Sequence, residues 1–67
     1  MTSAIWAIYR GQELLGGVLA VDELDALVTW ARAQGILAER DGDVLSVPDE
    51  QYEAVEHLRA TRIAGSA

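Results

Sequence analysis

The chain contains no cysteine and no lysine, and it has a single proline and a single histidine among 67 residues. Without cysteine there is neither a disulfide nor a thiolate ligand for a metal. The one histidine, His57, cannot build a zinc site unless several carboxylates converge on it. No apolar run approaches the roughly 20 residues that cross a bilayer as a helix. The opening Met1-Thr2-Ser3-Ala4-Ile5-Trp6 carries no basic residue ahead of its apolar stretch, so it does not read as a secretory signal. These absences predict a cytoplasmic chain with no metal, no cofactor and no membrane contact.

The missing lysine matters for charge as well. The net charge is −6, and the basic residues are five scattered arginines: Arg10, Arg32, Arg40, Arg59 and Arg62. A phosphate backbone is bound by several cations clustered on one face, so nucleic acid is not an expected partner. Asp22, Glu23, Asp25, Glu53 and Glu56 are expected to form an acidic surface, which serves solubility or attracts a basic partner. The lack of lysine beside abundant Ala, Gly, Val and Arg is typical of GC-rich genomes, such as those of actinobacteria and their phages. Half of the residues are hydrophobic, too many for an intrinsically disordered chain. The length allows one domain and lies near the lower limit for folding alone, where oligomerisation is a common support.

Residues Ala4 to Tyr9 are rich in β-branched and aromatic side chains and predict a strand; Arg10-Gly11-Gln12-Glu13 a turn; Leu14 to Val21 a returning strand. Gly16 and Gly17 mark a bulge or bend within it. Asp22 is an N-cap, with Asp25 in the first turn, and Leu24, Leu27, Val28 and Ala31 form the apolar stripe of a helix that Gly35 stops. Ile36 to Glu39 and Val44 to Val47 flank an Asp41-Gly42 pair, a hairpin signal. Pro48 then opens a second helix with Tyr52, Val55 and Leu58 as its stripe and Arg59 and Arg62 near its C-terminus. The expected fold is α+β: two β-hairpin–helix units (ββαββα) in one domain, residues 1–63, with an antiparallel sheet and both helices on one face. A disordered tail, 64–67, is expected to follow. The two units, 4–35 and 36–63, share a degenerate match in which Val18-Leu19-Ala20-Val21 corresponds to Val44-Leu45-Ser46-Val47, each followed by Asp-Glu.

The first hairpin departs from the alternation of a half-solvated strand. Trp6 and Ile8 occupy one face of its first strand and Ile5, Ala7 and Tyr9 the other. The return strand places Leu14, Val18 and Ala20 opposite Leu15, Leu19 and Val21. Neither strand carries a charge between Ala4 and Tyr9 or between Leu14 and Val21, so both faces call for cover, and an uncovered apolar patch marks an interface. Ile5, Trp6, Ile8, Tyr9, Leu15 and Leu19 are the candidate interface residues. Trp30 joins them as an anchor lying off the main helical stripe.

No catalytic constellation is found. His57 has Glu53 one helical turn before it, but no nucleophile accompanies the pair. Asp22, Glu23 and Asp25 lack the spacing of a calcium loop and are accounted for by helix capping. No glycine pattern of a nucleotide site is present. The helix–hairpin unit from Asp22 to Val47 resembles the end of a winged-helix domain, which implies a transcriptional regulator, although its acidic helix start has the wrong sign for DNA. The leading expectation is a small acidic, non-enzymatic protein–protein interaction module. It self-associates as a homodimer or larger through the N-terminal hairpin, in a setting such as phage modulation of a host protein. The alternatives are the winged-helix-like regulator and a small-ligand-binding domain.

Overall fold

The computed structural model describes residues 2–65. It has five strands in antiparallel sheets and two helices, an α+β arrangement. Strands β1 (Ala4–Arg10) and β2 (Glu13–Ala20) form the expected hairpin, closed by a two-residue turn between Arg10 and Glu13. Gly11 sits in that turn at φ 61°, the left-handed backbone that tight hairpin turns require. Helix α1 spans Glu23–Ala33. A short hairpin follows, β3 (Glu39–Asp41) with β4 (Val44–Ser46), turning at Gly42, also at φ 61°. A 3₁₀ turn, Asp49–Gln51, leads into the four-residue helix α2 (Tyr52–Val55). Strand β5 (Leu58–Gly65) completes the chain's described part.

The second unit differs from the ββαββα expectation. The long helix predicted after Pro48 stops at Val55, and Leu58–Gly65 is a strand. Glu56 turns extended at ψ 137°, and His57 takes φ 65°, breaking the helical path. The physical reason is non-local. A hairpin alone leaves one edge of β1 with unpaired N–H and C=O groups, and β5 satisfies them, pairing antiparallel with β1 from Arg10↔Leu58 to Ala4↔Gly65. The apolar stripe offered to a helix by Tyr52, Val55 and Leu58 is too thin to compete. Arg59 and Arg62, expected near a helix C-terminus, therefore stand on a strand. Ala64 and Gly65, placed in a disordered tail by sequence, lie in β5, while Ser66 and Ala67 fall outside the described residues. The counterpart of the eleven-residue α1 is thus four residues of helix followed by strand.

The sheet order is β2-β1-β5, with β3-β4 forming a separate two-stranded sheet. Helix α1 lies across the three-stranded sheet. Its approach is made close by alanines: Ala20 on β2, Ala26 on α1 and Ala60 on β5 are buried around Ile8, which is fully buried at the centre. Ala26 was not on the expected stripe, because alanine gives a weak hydrophobic signal. A second cluster of Ala31, Ile36, Ala38 and Val55 packs beneath the short hairpin and α2. Ile36 and Ala38, expected in a strand, instead fill this cluster from a loop that precedes β3. Trp30 and Leu58 touch both clusters and join them into one core.

Asp22 caps α1 as expected, its Oδ1 accepting from the Asp25 N–H at 2.7 Å, while Asp25 Oδ2 accepts from the Val21 N–H at 3.1 Å. Gly35 ends the helix at φ 83°. The register of β2 slips by one residue opposite Ile8 and Tyr9. That bulge makes Leu14 the partner of Tyr9 and sends Leu15 against the core, reversing the faces expected for these two leucines. Gly16 lies beside the bulge. Gly17 lies outside the left-handed region, and an added Cβ would meet nothing nearer than the Trp6 carbonyl oxygen at 3.6 Å. A strand glycine costs roughly 0.5–1 kcal/mol against alanine, and nothing within the fold requires one at position 17.

Two stability outcomes are expected. Ile8→Ala removes the only large side chain that is fully buried among the described residues and should cost about 2–5 kcal/mol. In a domain this small that is most of the available stability, so urea titration should show a chain largely unfolded at 37 °C. His57→Gly relieves a left-handed residue and should raise stability by about 0.5–1 kcal/mol in the same titration.

Candidate functional site

Each strand of the main sheet shows one face to α1 and the other away from it. On the covered face lie Trp6, Ile8, Val18, Ala20, Leu58 and Ala60, all buried or half-buried in the core. Trp6 and Ile8, both candidate interface residues, are thus taken into the interior. Trp6 also donates from Nε1 to the Ala20 carbonyl oxygen at 3.0 Å, bridging β1 to the end of β2. Ile8 has no exposed surface and cannot touch a partner. Leu15 and Trp30 are half-buried against the same cluster.

Among the described residues, the opposite face has no helix over it. Pairing sets Leu19, Ile5 and Ala64 in one row, Gly17, Ala7 and Thr61 in the next, and Leu14, Tyr9 and Arg59 in the third. The bulge in β5 adds Ile63 beside the first row. Leu19, Ile63, Leu14 and Ile5 are 66%, 61%, 60% and 42% exposed, an amount of apolar surface that sets this face apart from the rest of the sheet. Its one charged member is Arg59, whose guanidinium carbon stands 4.5 Å from the centre of the Tyr9 ring and whose Nη2 donates to the Gly11 carbonyl oxygen at 3.3 Å. Of the sequence candidates, Ile5, Tyr9 and Leu19 come together here. Leu14 and Ile63 were missed, the first because the bulge was not placed and the second because its segment was read as helix.

The acidic side chains occupy another part of the molecule. Ten of the eleven carboxylates lie between Asp22 and Glu56, whereas Arg10, Arg59 and Arg62 all stand on the three-stranded sheet. Asp22 receives Arg40 Nη1 at 3.0 Å, tying β3 to the start of α1. The Asp25 N–H and the Arg40 guanidinium together hold its carboxyl below the ordinary value of 3.8. Glu53 and Glu56 are exposed on and just after α2. His57 lies 3.5 Å from Glu56, not beside Glu53 as a continuous helix would place it. Among the described residues no three potential ligands gather to hold a metal, and no helix is long and apolar enough to cross a membrane.

One open groove of about 680 Å³ lies at the C-terminal end of α1, between Arg32, the loop through Ile36 and Leu37, and Val47-Pro48. Arg32 Nε is engaged there by the Ala38 carbonyl oxygen at 2.8 Å, and Gln51 Oε1 accepts from the Leu37 N–H at 2.8 Å. Comparison with known proteins finds no family model, no curated protein and no solved structure that matches the chain.

Because the Asp22 carboxyl is lowered in the folded state, its contribution is complete above its ordinary range and is lost as pH falls through the lowered value. Asp22→Ala should therefore reduce the thermal midpoint at pH 7. The gap from the parent chain should close as pH drops below the ordinary carboxylate range, which a series of thermal melts would show.

Proposed function

We propose that this chain is a non-enzymatic, cytoplasmic protein–protein interaction module that works through its N-terminal hairpin. The observation that carries the proposal is the uncovered sheet face. Ile5, Leu14, Leu19 and Ile63 are all exposed on one side of a three-stranded sheet whose other side is fully used by α1. Apolar surface gathered in this way on a small domain is the mark of a binding site. Burying such side chains returns about 25 cal/mol for each Å² removed from water, and the face presents only one charge to desolvate. The partners proposed are a second copy of the chain and a further protein, of the kind a small modulator would bind. Ten of the eleven carboxylates lie between Asp22 and Glu56, outside the three-stranded sheet, and the eleventh, Glu13, opens β2.

The absence of a proposed reaction rests on side-chain placement. His57 stands in an exposed turn with Glu56 as its neighbour. A nucleic-acid role is disfavoured by charge, since the α1–hairpin unit that resembles a winged helix begins with Asp22, Glu23 and Asp25. The groove at the end of α1 supports a second reading, a small-ligand site with Arg32 and Glu39 at its rim and Ile36 and Val47 within it.

Capture from the source cell on immobilised chain tests the proposal when the parent is run beside an Ile5→Glu/Ile63→Glu variant. The expected result is a protein retained by the parent and lost by the variant, with direct binding then reproduced by the purified pair. An identical set of retained proteins on both chains would count against the face as a binding site.

A further inference from the structure

We infer that Leu58–Gly65 is a two-state strap: a strand docked on β1, as in this structure, and, when released, the second half of one helix running on from α2. This is a conformational device of the chain itself and does not rest on the binding role proposed above. The hold of β5 on the sheet is light. It is an edge strand, paired with β1 alone among the described residues. Ala60 is buried and Leu58 half-buried, while Arg59, Thr61, Arg62, Ile63 and Ala64 are all exposed. The ties of Arg59 to the Tyr9 ring and the Gly11 carbonyl oxygen are made from such an exposed position.

The two paths divide at the junction between α2 and β5. Glu56 turns extended, and His57 stands at φ 65°, a backbone region that costs energy for a residue with a side chain of this size. Arg10, at the end of β1, donates from Nη2 to the Ala54 carbonyl oxygen. In a continuous helix that oxygen accepts from the N–H four residues on, that of Leu58. The guanidinium therefore occupies the acceptor through which α2 would be extended. Arg10 is also the β1 residue that pairs with Leu58. It latches the strand form at both points.

Beyond the latch, the residues suit a helix as well as a strand. Asp49–Gln51 and α2 are already wound, so extension adds turns without a new nucleus. Carried on past Val55, the helix sets Glu53 four residues before His57 and Glu56 three before Arg59, acid ahead of base in each pair. Arg59 and Arg62 then fall near its end, where the dipole favours cations. Leu58 follows Val55 at the spacing of one helical face. The strand form prevails while β1 has no other partner for its open edge. Release removes Arg59 and Ile63 from the uncovered sheet face, so that surface is whole only in the docked state.

Chemical-exchange saturation transfer NMR on the full chain reads a minor state together with its backbone shifts. The expected result is a second state populated at about 0.1–10%, exchanging at residues 56–64 and along β1, with helical Cα shifts at 57–62. His57→Ala and His57→Gly both remove the imidazole and its contact with Glu56, yet they should act in opposite directions. Alanine disfavours the left-handed turn and favours helix, so it should raise the population about threefold or more; glycine should lower it by a similar factor. Arg10→Met frees the Ala54 carbonyl and should also raise the population, with the same helical shifts. Random-coil or extended shifts at 57–62 in the minor state would reduce the strap to a fraying edge and overturn the inference. So would changes of the same sign in the two His57 variants, a population that Arg10→Met leaves no higher than the parent's, or no second state in either the parent or His57→Ala.

Discussion

β1 is hydrogen-bonded on both sides, to β2 through a local hairpin and to β5 across nearly the whole chain. The other parts of the fold are arranged around that double pairing. Ile8 reaches full burial because strands flank it and α1 crosses above it, and alanines on β2, α1 and β5 let the layers come close. The short hairpin and α2 make the connection from α1 back to β5. They are held in place by Arg40 on Asp22, by Arg32 on the Ala38 carbonyl, and by the donation of Arg10 to the Ala54 carbonyl. Among the described residues, no helix lies over the side of the sheet away from α1.

The parts of this architecture that are encoded locally could be read from the residues. The Gly11 and Gly42 turns, the Asp22 cap, the Gly35 stop and the eleven-residue helix between the last two all follow rules that act within a few positions. β5 could not be read in that way. Its segment contains helix-compatible residues and arginines that suit a helix end, and what makes it a strand is the unpaired edge of β1, at the other end of the described residues. The bulge in β2 was legible from the two glycines, but its position was not, and a one-residue slip exchanges the faces of Leu14 and Leu15.

The candidate surface was half legible for the same reason. The absence of charge in the first hairpin pointed to burial of both its faces, and one face is buried by the chain's own helix. Trp6 and Ile8 belong to that side. Ile5, Tyr9 and Leu19 belong to the other, joined by Leu14 and Ile63 once the two bulges are taken into account. Arg59 over Tyr9 depended on β5 being a strand and left no trace in the sequence.

The pairing of Ala4 with Gly65 also sets an order of events at the ribosome. β1 emerges well before its second neighbour, so the sheet cannot close until β5 too has left the exit tunnel. Local hairpin and helix formation is fast, whereas a contact this distant along the chain is slow to find. During that interval the nascent chain shows the cell an apolar strand with one side open. Its yield in vivo therefore depends on translation speed and chaperone access as much as on the final strength of the fold.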